Sequence, residues 1–258
     1  MSFKKPFKLL KGIYSYRDFL SIIRFVDIIK ILTSTKGSYT KVKLKNTAEV
    51  VFRNRNINDL IVAGYVFLKK FHIPPFSLPD NPIIVDLGSN IGFTIIDYKL
   101  TYPNAQILGV EMDRDNYQLC IKNTSAYPNV TVLNKAIWFE NGTIQYNSNV
   151  NNDSYSATSL SSDKSTNDQL IGIESITIPD LLAMNNIKKV DFMKIDIEGA
   201  EVEIFKKGNL DWLNLVDSMH MEIHDRLEVT PVTNILKKYN YEVIPDKKHW
   251  SAVFAKKK

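Results

Sequence analysis

Short apolar runs, each closed by a polar or glycine-bearing turn, recur along the chain from residue 82 onward. The first, Ile83-Ile84-Val85, has no polar interruption and is β-branched, so it predicts a strand covered on both faces. Runs at 106–110 and 130–133 repeat the pattern, with a helix predicted over about 115–124 between them. Residues 190–197 and 216–224 alternate side chains with a period of two, as strands do. A helix is expected over 231–239, and 241–244 with 250–255 read as a closing hairpin. Strand and helix alternating in this way assemble most economically as a parallel, doubly wound α/β sheet.

The first 80 residues carry a different pattern. Over 19–32, Ser21, Arg24, Asp27 and Lys30 recur every third residue among apolar side chains, which predicts one helix. Three charges within it disfavour a membrane span. Tyr39, Val42, Leu44 and residues 50–52 predict a strand or hairpin, followed by an apolar helix over about 60–71 that Pro74, Pro75 and Pro79 bring to an end. Residues 1–80 are therefore expected to form an appendage, acting as a lid, an oligomer surface or a membrane-surface contact, and residues 81–258 the main domain. Between 147 and 169 the chain is dense in Asn, Ser, Asp and Thr, as expected of a lid or a mobile insertion.

Chemistry concentrates at two places in the main domain. In the first, Asp86-Leu87-Gly88-Ser89-Asn90-Ile91-Gly92 puts an acid at the end of a strand and a turn bearing two glycines after it. Glu111 ends the next strand, where a carboxylate can accept two ribose hydroxyls. Dinucleotide folds use the same acid, but Asn90 stands where a pyrophosphate loop wants its middle glycine. The stretch resembles the first motif of the class I, Rossmann-like S-adenosylmethionine methyltransferases. That resemblance implies cofactor binding by Asp86, Gly88, Ser89, Asn90, Gly92 and Glu111, with Asn134 and Ala136 at the third strand's tip bordering the adenine. It also implies a seven-stranded, mostly parallel sheet with an antiparallel edge hairpin.

The second place is Val190-Asp191-Phe192-Met193-Lys194-Ile195-Asp196-Ile197-Glu198-Gly199-Ala200-Glu201, whose period of two sets Lys194, Asp196 and Glu198 on one face. Carboxylates gathered there must be solvated, paired or used, and a purely structural network with Lys194 is one outcome. The phrase is similar to the signature of FkbM-type methyltransferases, and the similarity extends upstream to 176–182 and downstream to Met221-Glu222-Ile223-His224. Membership implies O-methyl transfer to a hydroxyl of a sugar, glycan or other natural product. Met112 and Asp113 depart from the proline and acid often found in that family after the glutamate. Within this reading His224 is the first choice of proton acceptor, oriented by Asp196 or Glu222, while Glu198 and Glu201 hold the acceptor molecule. The competing expectation assembles Asp196, Glu198, Glu222 and His224 around Mg²⁺ or a similar ion, with Asp196, Glu222 and His224 as its ligands. His220 and His224 lie too far apart along a straight strand to share one ion.

Composition adds bounds rather than identity. The chain has 258 residues, 44% hydrophobic and 24% charged, so it has ample material for a core. The net charge of +5 does not by itself call for nucleic acid, because lysines crowd both ends, in Lys4, Lys5, Lys8 and Lys11 and in Lys256 to Lys258. The single Cys120 excludes an intramolecular disulfide and is expected to pack. With no cleavage site after a continuous apolar core, a cytoplasmic protein is expected, peripheral to a membrane at most, with a homo-oligomer left open. A nicotinamide-dependent oxidoreductase and a non-catalytic cofactor-binding or membrane-associated accessory protein are the alternatives.

Overall fold

Two helices, α1 (Tyr16–Ile22) and α2 (Phe25–Thr33), stand where the sequence predicts one. Phe19, Ile22 and Ile23 would point away from Ile28 and Ile31 on a straight helix, at 100° per residue. Breaking the chain at Ile23 and Arg24 lets all five enter one buried cluster. The predicted hairpin follows as β1 (Tyr39–Lys43) and β2 (Glu49–Arg53), antiparallel. Helix α3 (Ile57–Ala63) then runs on as a π-helical stretch, Gly64–Lys69. Apolar side chains of this appendage share one core with Ile91, Phe93, Ile96 and Leu119 of the main domain. In this computed structural model, residues 16–45, 47–147, 157–158, 170–247 and 251–258 are described. The basic start at Lys4 to Lys11 lies outside them, and among the described residues no helix is long and apolar enough to cross a membrane.

From Ile83 the predicted alternation holds through β3 (Ile83–Leu87), α4 (Phe93–Thr101), β4 (Gln106–Val110), α5 (Arg114–Thr124) and β5 (Val130–Leu133). Asp113 caps α5, its carboxylate accepting from the Asn116 amide at 2.8 Å. The next stretch departs from the expectation. Strands β6 (Ala136–Ile137), β7 (Gly142–Asn147), β8 (Ala157–Thr158) and β9 (Leu170–Ile176) form a separate sheet in the order β6-β9-β7-β8. Ile144 and Tyr146 alternate inward as a strand requires, in a run too short, and too close to a polar stretch, for the pattern alone to predict it. Apart from β8, residues 148–169 of the expected insertion lie outside the described residues.

The chain closes with α6 (Ile178–Met184), β10 (Phe192–Ile195), α7 (Ala200–Lys207), β11 (Ser218–Glu222), α8 (Val229–Lys238), β12 (Tyr241–Pro245) and β13 (Ala252–Lys257). The main sheet has seven strands in the order β12-β13-β11-β10-β3-β4-β5. Strand β13 is antiparallel to both neighbours and every other pairing is parallel, which is the Rossmann-like sheet with an edge hairpin. Leu181, Phe205 and Leu236 pack on one face, and Ile95 and Tyr98 on the other.

Strand order reverses between β3 and β10, because β4 and β5 extend to one side and β11 to the other. Ligands bind outside the carboxyl ends of strands at such a switch point. Register sets Lys194 beside Asp86 and Ile195 beside Leu87, so the two chemical stretches of the sequence meet there.

Candidate active site

The turn after β3 differs from its expected role in one respect. Asp86 lies inside the strand rather than at its tip, fully buried, and does not line the cavity above it. Its Oδ2 accepts from Thr94 Oγ1 at 2.5 Å, and its Oδ1 lies 3.4 Å from Lys194 Nζ, so it supports the turn from beneath. Gly88 has φ +82°, and a Cβ there would lie 1.8 Å from the Asp196 carbonyl oxygen. The β3 and β10 turns touch because that position carries no side chain. Ser89 Oγ donates to the Asp86 carbonyl at 2.8 Å, and the Asn90 amide donates to Glu111 Oε2 at 2.8 Å. The second Glu111 oxygen accepts from the Asp113 amide, also at 2.8 Å. Burial pushes the Glu111 carboxyl up to about 7 despite these two donors. Gly92 packs against Cys120 and Thr124, and buried Cys120 packs as expected. Asn134 donates to the Glu111 and Met112 carbonyls at 2.9 and 3.0 Å, so it braces the strand tip and leaves the lining to Ala136.

These elements enclose a cavity of about 340 Å³. Gly88, Ser89, Asn90, Glu111 and Ala136 line it, and so do Asp196, Glu198, Glu222 and His224. Sequence reasoning missed the wall built by Val62, Tyr65, Val66 and Phe71 of the appendage, and it missed His72; His220, set aside there as an ion ligand, also lines the cavity. Lys194 was visible beside the acids, but its reach was not. Its Nζ donates to the Gly88 carbonyl at 3.0 Å and lies 3.2 Å from Asp196 Oδ2 as well as near Asp86. Burial opposes its charge, but the Asp196 and Asp86 carboxylates outweigh burial and hold the ammonium above the ordinary lysine value.

The signature strand is shorter than predicted. β10 ends at Ile195, and Asp196 to Glu198 form a turn in which Glu198 takes a left-handed φ of 55°. The same shortening applies to β11, which ends at Glu222 and leaves His224 beyond it. Glu201, expected to hold the acceptor, is instead wholly buried. Its Oε1 takes both the His224 amide at 2.8 Å and His224 Nδ1 at 2.9 Å, while its Oε2 accepts from the Gly199 amide at 3.0 Å. The other ring nitrogen, Nε2, lies 3.2 Å from Glu198 and 3.8 Å from both Asp196 and Glu222. Burial works against charge on this ring, but hydrogen bonds to Glu198 and Glu201 outweigh it and push its pKa up to about 11. An imidazole with a carboxylate at each nitrogen keeps both protons at neutral pH. His224 then has no lone pair for a hydroxyl proton, which corrects its expected role as the base. Asp196, Glu198 and His224, three of the four residues expected around an ion, bring one ligand atom each within 4.8 Å of one another.

The cluster makes stability depend on pH. Burial, and next Asp196, push the Glu222 carboxyl up to about 7 from 4.5, while His224 moves from 6.5 to about 11. In both windows the folded chain holds a proton that the unfolded chain releases, so stability falls as pH rises. A decline from about pH 4.5 to about pH 11, with a slope of up to about 1.4 kcal/mol per pH unit for each group, is expected in urea unfolding. Glu222→Gln should flatten the lower part of that slope and stabilise the protein near pH 8. An unchanged slope would show that Glu222 is not the group responsible.

Parallel strands tipped with Glu111 and Asp196 around a switch-point cavity, on a sheet with this strand order, define a Rossmann-like methyltransferase fold. The methyltransferase FkbM domain family matches residues 86–243, more than half of the chain, and the chain belongs to that family. It is 25% identical over 205 residues to methyltransferase sdnD of Sordaria araneosa, covering 68% of this chain and 79% of that protein. Methyltransferase 1 of Beauveria bassiana is 22% identical over 213 residues, with 72% and 82% covered. Among solved structures, an FkbM methyltransferase from Methylobacillus flagellatus aligns with a TM-score of 0.48 at 14% identity, over 78% of this chain and 52% of that one. The chain is thus a methyltransferase, and the nicotinamide alternative falls away.

Proposed function

We propose that the methyl donor is S-adenosylmethionine and that the acceptor is a hydroxyl of a sugar, glycan or other natural product. The observation that carries the donor is the joint presence of Glu111 and the Gly88-Ser89-Asn90 turn in one cavity wall. Each Glu111 oxygen accepts one backbone N–H and keeps capacity for a ribose hydroxyl. Met112, Ala136 and Ile137 offer apolar surface for a purine, and the turn has no extra glycine for a pyrophosphate. When bound, the cofactor supplies an electrophilic methyl on a sulfonium. The protein's part is to hold the acceptor in line and to exclude water. Asp196, Glu198 and Glu222 are hydrogen-bond acceptors on one side of the cavity, which suits a ligand bearing several hydroxyls. The wall of Val62, Val66 and Phe71 covers another side.

Calorimetry with S-adenosylhomocysteine and with NADH tests the donor, and a screen of hydroxylated acceptors with labelled cofactor tests the transfer. Binding of S-adenosylhomocysteine without turnover of any acceptor would favour the accessory role, and binding of NADH alone would sink the donor assignment. Glu111→Ala should weaken S-adenosylhomocysteine by about 1.5–3 kcal/mol, the range for a hydrogen bond to a charged group. Unchanged affinity in the folded variant would remove Glu111 from the ribose. A divalent ion at Asp196, Glu198 and His224 would have to displace the proton from His224 Nε2; their close ligand atoms, and Glu201 behind His224 Nδ1, an arrangement that orients a metal-binding imidazole, are what favour it. Calorimetric binding of Mg²⁺ that is lost in His224→Ala would support that ion, and absence of binding would dismiss it.

A further inference from the structure

His220 sits in the middle of β11 with its ring buried and forming part of the cavity lining. Its Nε2 lies 3.3 Å from Asp246 Oδ2, and Phe254 stacks on the ring with centroids 4.5 Å apart. Asp246 follows β12 at the far edge of the sheet, so only the closed fold brings it to β11. A carboxylate facing Nε2 favours the tautomer with the proton on that nitrogen, which leaves a bare lone pair at Nδ1. Nδ1 is buried and has no hydrogen-bond partner among the described residues. Buried polar atoms are almost always paired, so an unpaired one in a ring that lines a ligand cavity calls for a ligand to complete it. Among the described residues, the other charged groups around this ring are Lys194, its register partner on β10, Asp196 in the turn beyond, and Glu222 two residues along β11. His224, by contrast, has a carboxylate at each nitrogen and is already complete.

We propose that His220 is the proton acceptor for the methylated hydroxyl and that Asp246 is the residue that positions it. The inference rests on the hydroxyl-transfer reading above. Nδ1 takes the hydroxyl proton while the oxygen's electron pair forms the bond to the methyl carbon and the methyl–sulfur pair stays on sulfur. The positive charge passes from donor to imidazole, where Asp246 offsets it. General-base help of this kind contributes about 10²–10⁴-fold to rate.

The test begins with NMR of protein labelled with ¹⁵N in its histidine rings and saturated with S-adenosylhomocysteine, using His220→Gln to assign the signals. At neutral pH the His220 signals should show a protonated Nε2 and a bare Nδ1, and Asp246→Asn should abolish that fixed tautomer. With an acceptor found in the screen, His220→Gln should lose about 10²-fold or more in kcat at unchanged S-adenosylhomocysteine affinity. A protonated Nδ1 in the wild type would overturn the proposal, as would near-normal turnover in His220→Gln with a large loss confined to Glu222→Gln. If no acceptor is methylated, the hydroxyl-transfer reading fails, and the spectra still decide the state of the His220–Asp246 pair.

Discussion

Gly88→Ala is expected to abolish measurable cofactor binding and to lower folding stability by about 2–5 kcal/mol, summing left-handed strain of about 1–2 and overpacking of about 1–3 kcal/mol. The backbone there has φ +82°, and the added Cβ would meet the Asp196 carbonyl oxygen at 1.8 Å and its carbon at 2.9 Å. Backbone rather than a flexible side chain is in the way, so the β3 and β10 turns would have to separate. Because the same turn holds the Asn90 amide on Glu111, separation would disturb the cofactor wall too. Gly199→Ala is the control. Its φ is +100°, yet nothing lies within 4 Å of the added methyl, so only the strain remains. Urea unfolding of both variants with calorimetry on S-adenosylhomocysteine checks the contrast, and equal losses would show that the close approach contributes nothing.

Lys194→Met should cost about 3–5 kcal/mol, the range for leaving a buried charge without its partner. Methionine keeps the length and the apolar stem but removes the ammonium that reaches the Gly88 carbonyl, Asp86 and Asp196. Asp86 has no exposure to water and, among the described residues, would retain the Thr94 hydroxyl alone as a side-chain donor. Adding Asp86→Asn to Lys194→Met should recover part of the loss, since an amide carries no charge to strand. Denaturant midpoints of the two single variants and the double variant form the cycle. Strict additivity would mean that the two groups do not act as a pair.

Much of the fold was readable before any coordinates. Ile83 to Val85, residues 106–110 and residues 130–133 form the strands their apolar runs predict, because local pattern and burial agree there. Glu111 was found as an acid at a strand tip and lines the cavity as one. The misreadings have physical causes. The helix over 19–32 breaks because its apolar residues lie on opposite sides of a straight helix and a single core must take them all. In the small sheet, β9 pairs with β6 and β7 across 23 to 39 positions of chain, which no local window contains.

The sequence by itself determined the sheet class, the family and the two stretches that carry chemistry, since each is written in side chains a few positions apart whose spacing follows strand and turn geometry. Only the tertiary structure decided which acids face the cavity and which support it. Asp86 and Glu201 read as functional acids, yet they are buried beneath Lys194 and His224, because neighbouring strands and a helix close over them. The pairing of His220 with Asp246 crosses 26 residues and an intervening strand, so no periodicity in the chain could announce it. Protonation followed the same rule. Whether His224 holds a proton depends on carboxylates from the β10 turn and from α7, and their distances exist only once the sheet has formed.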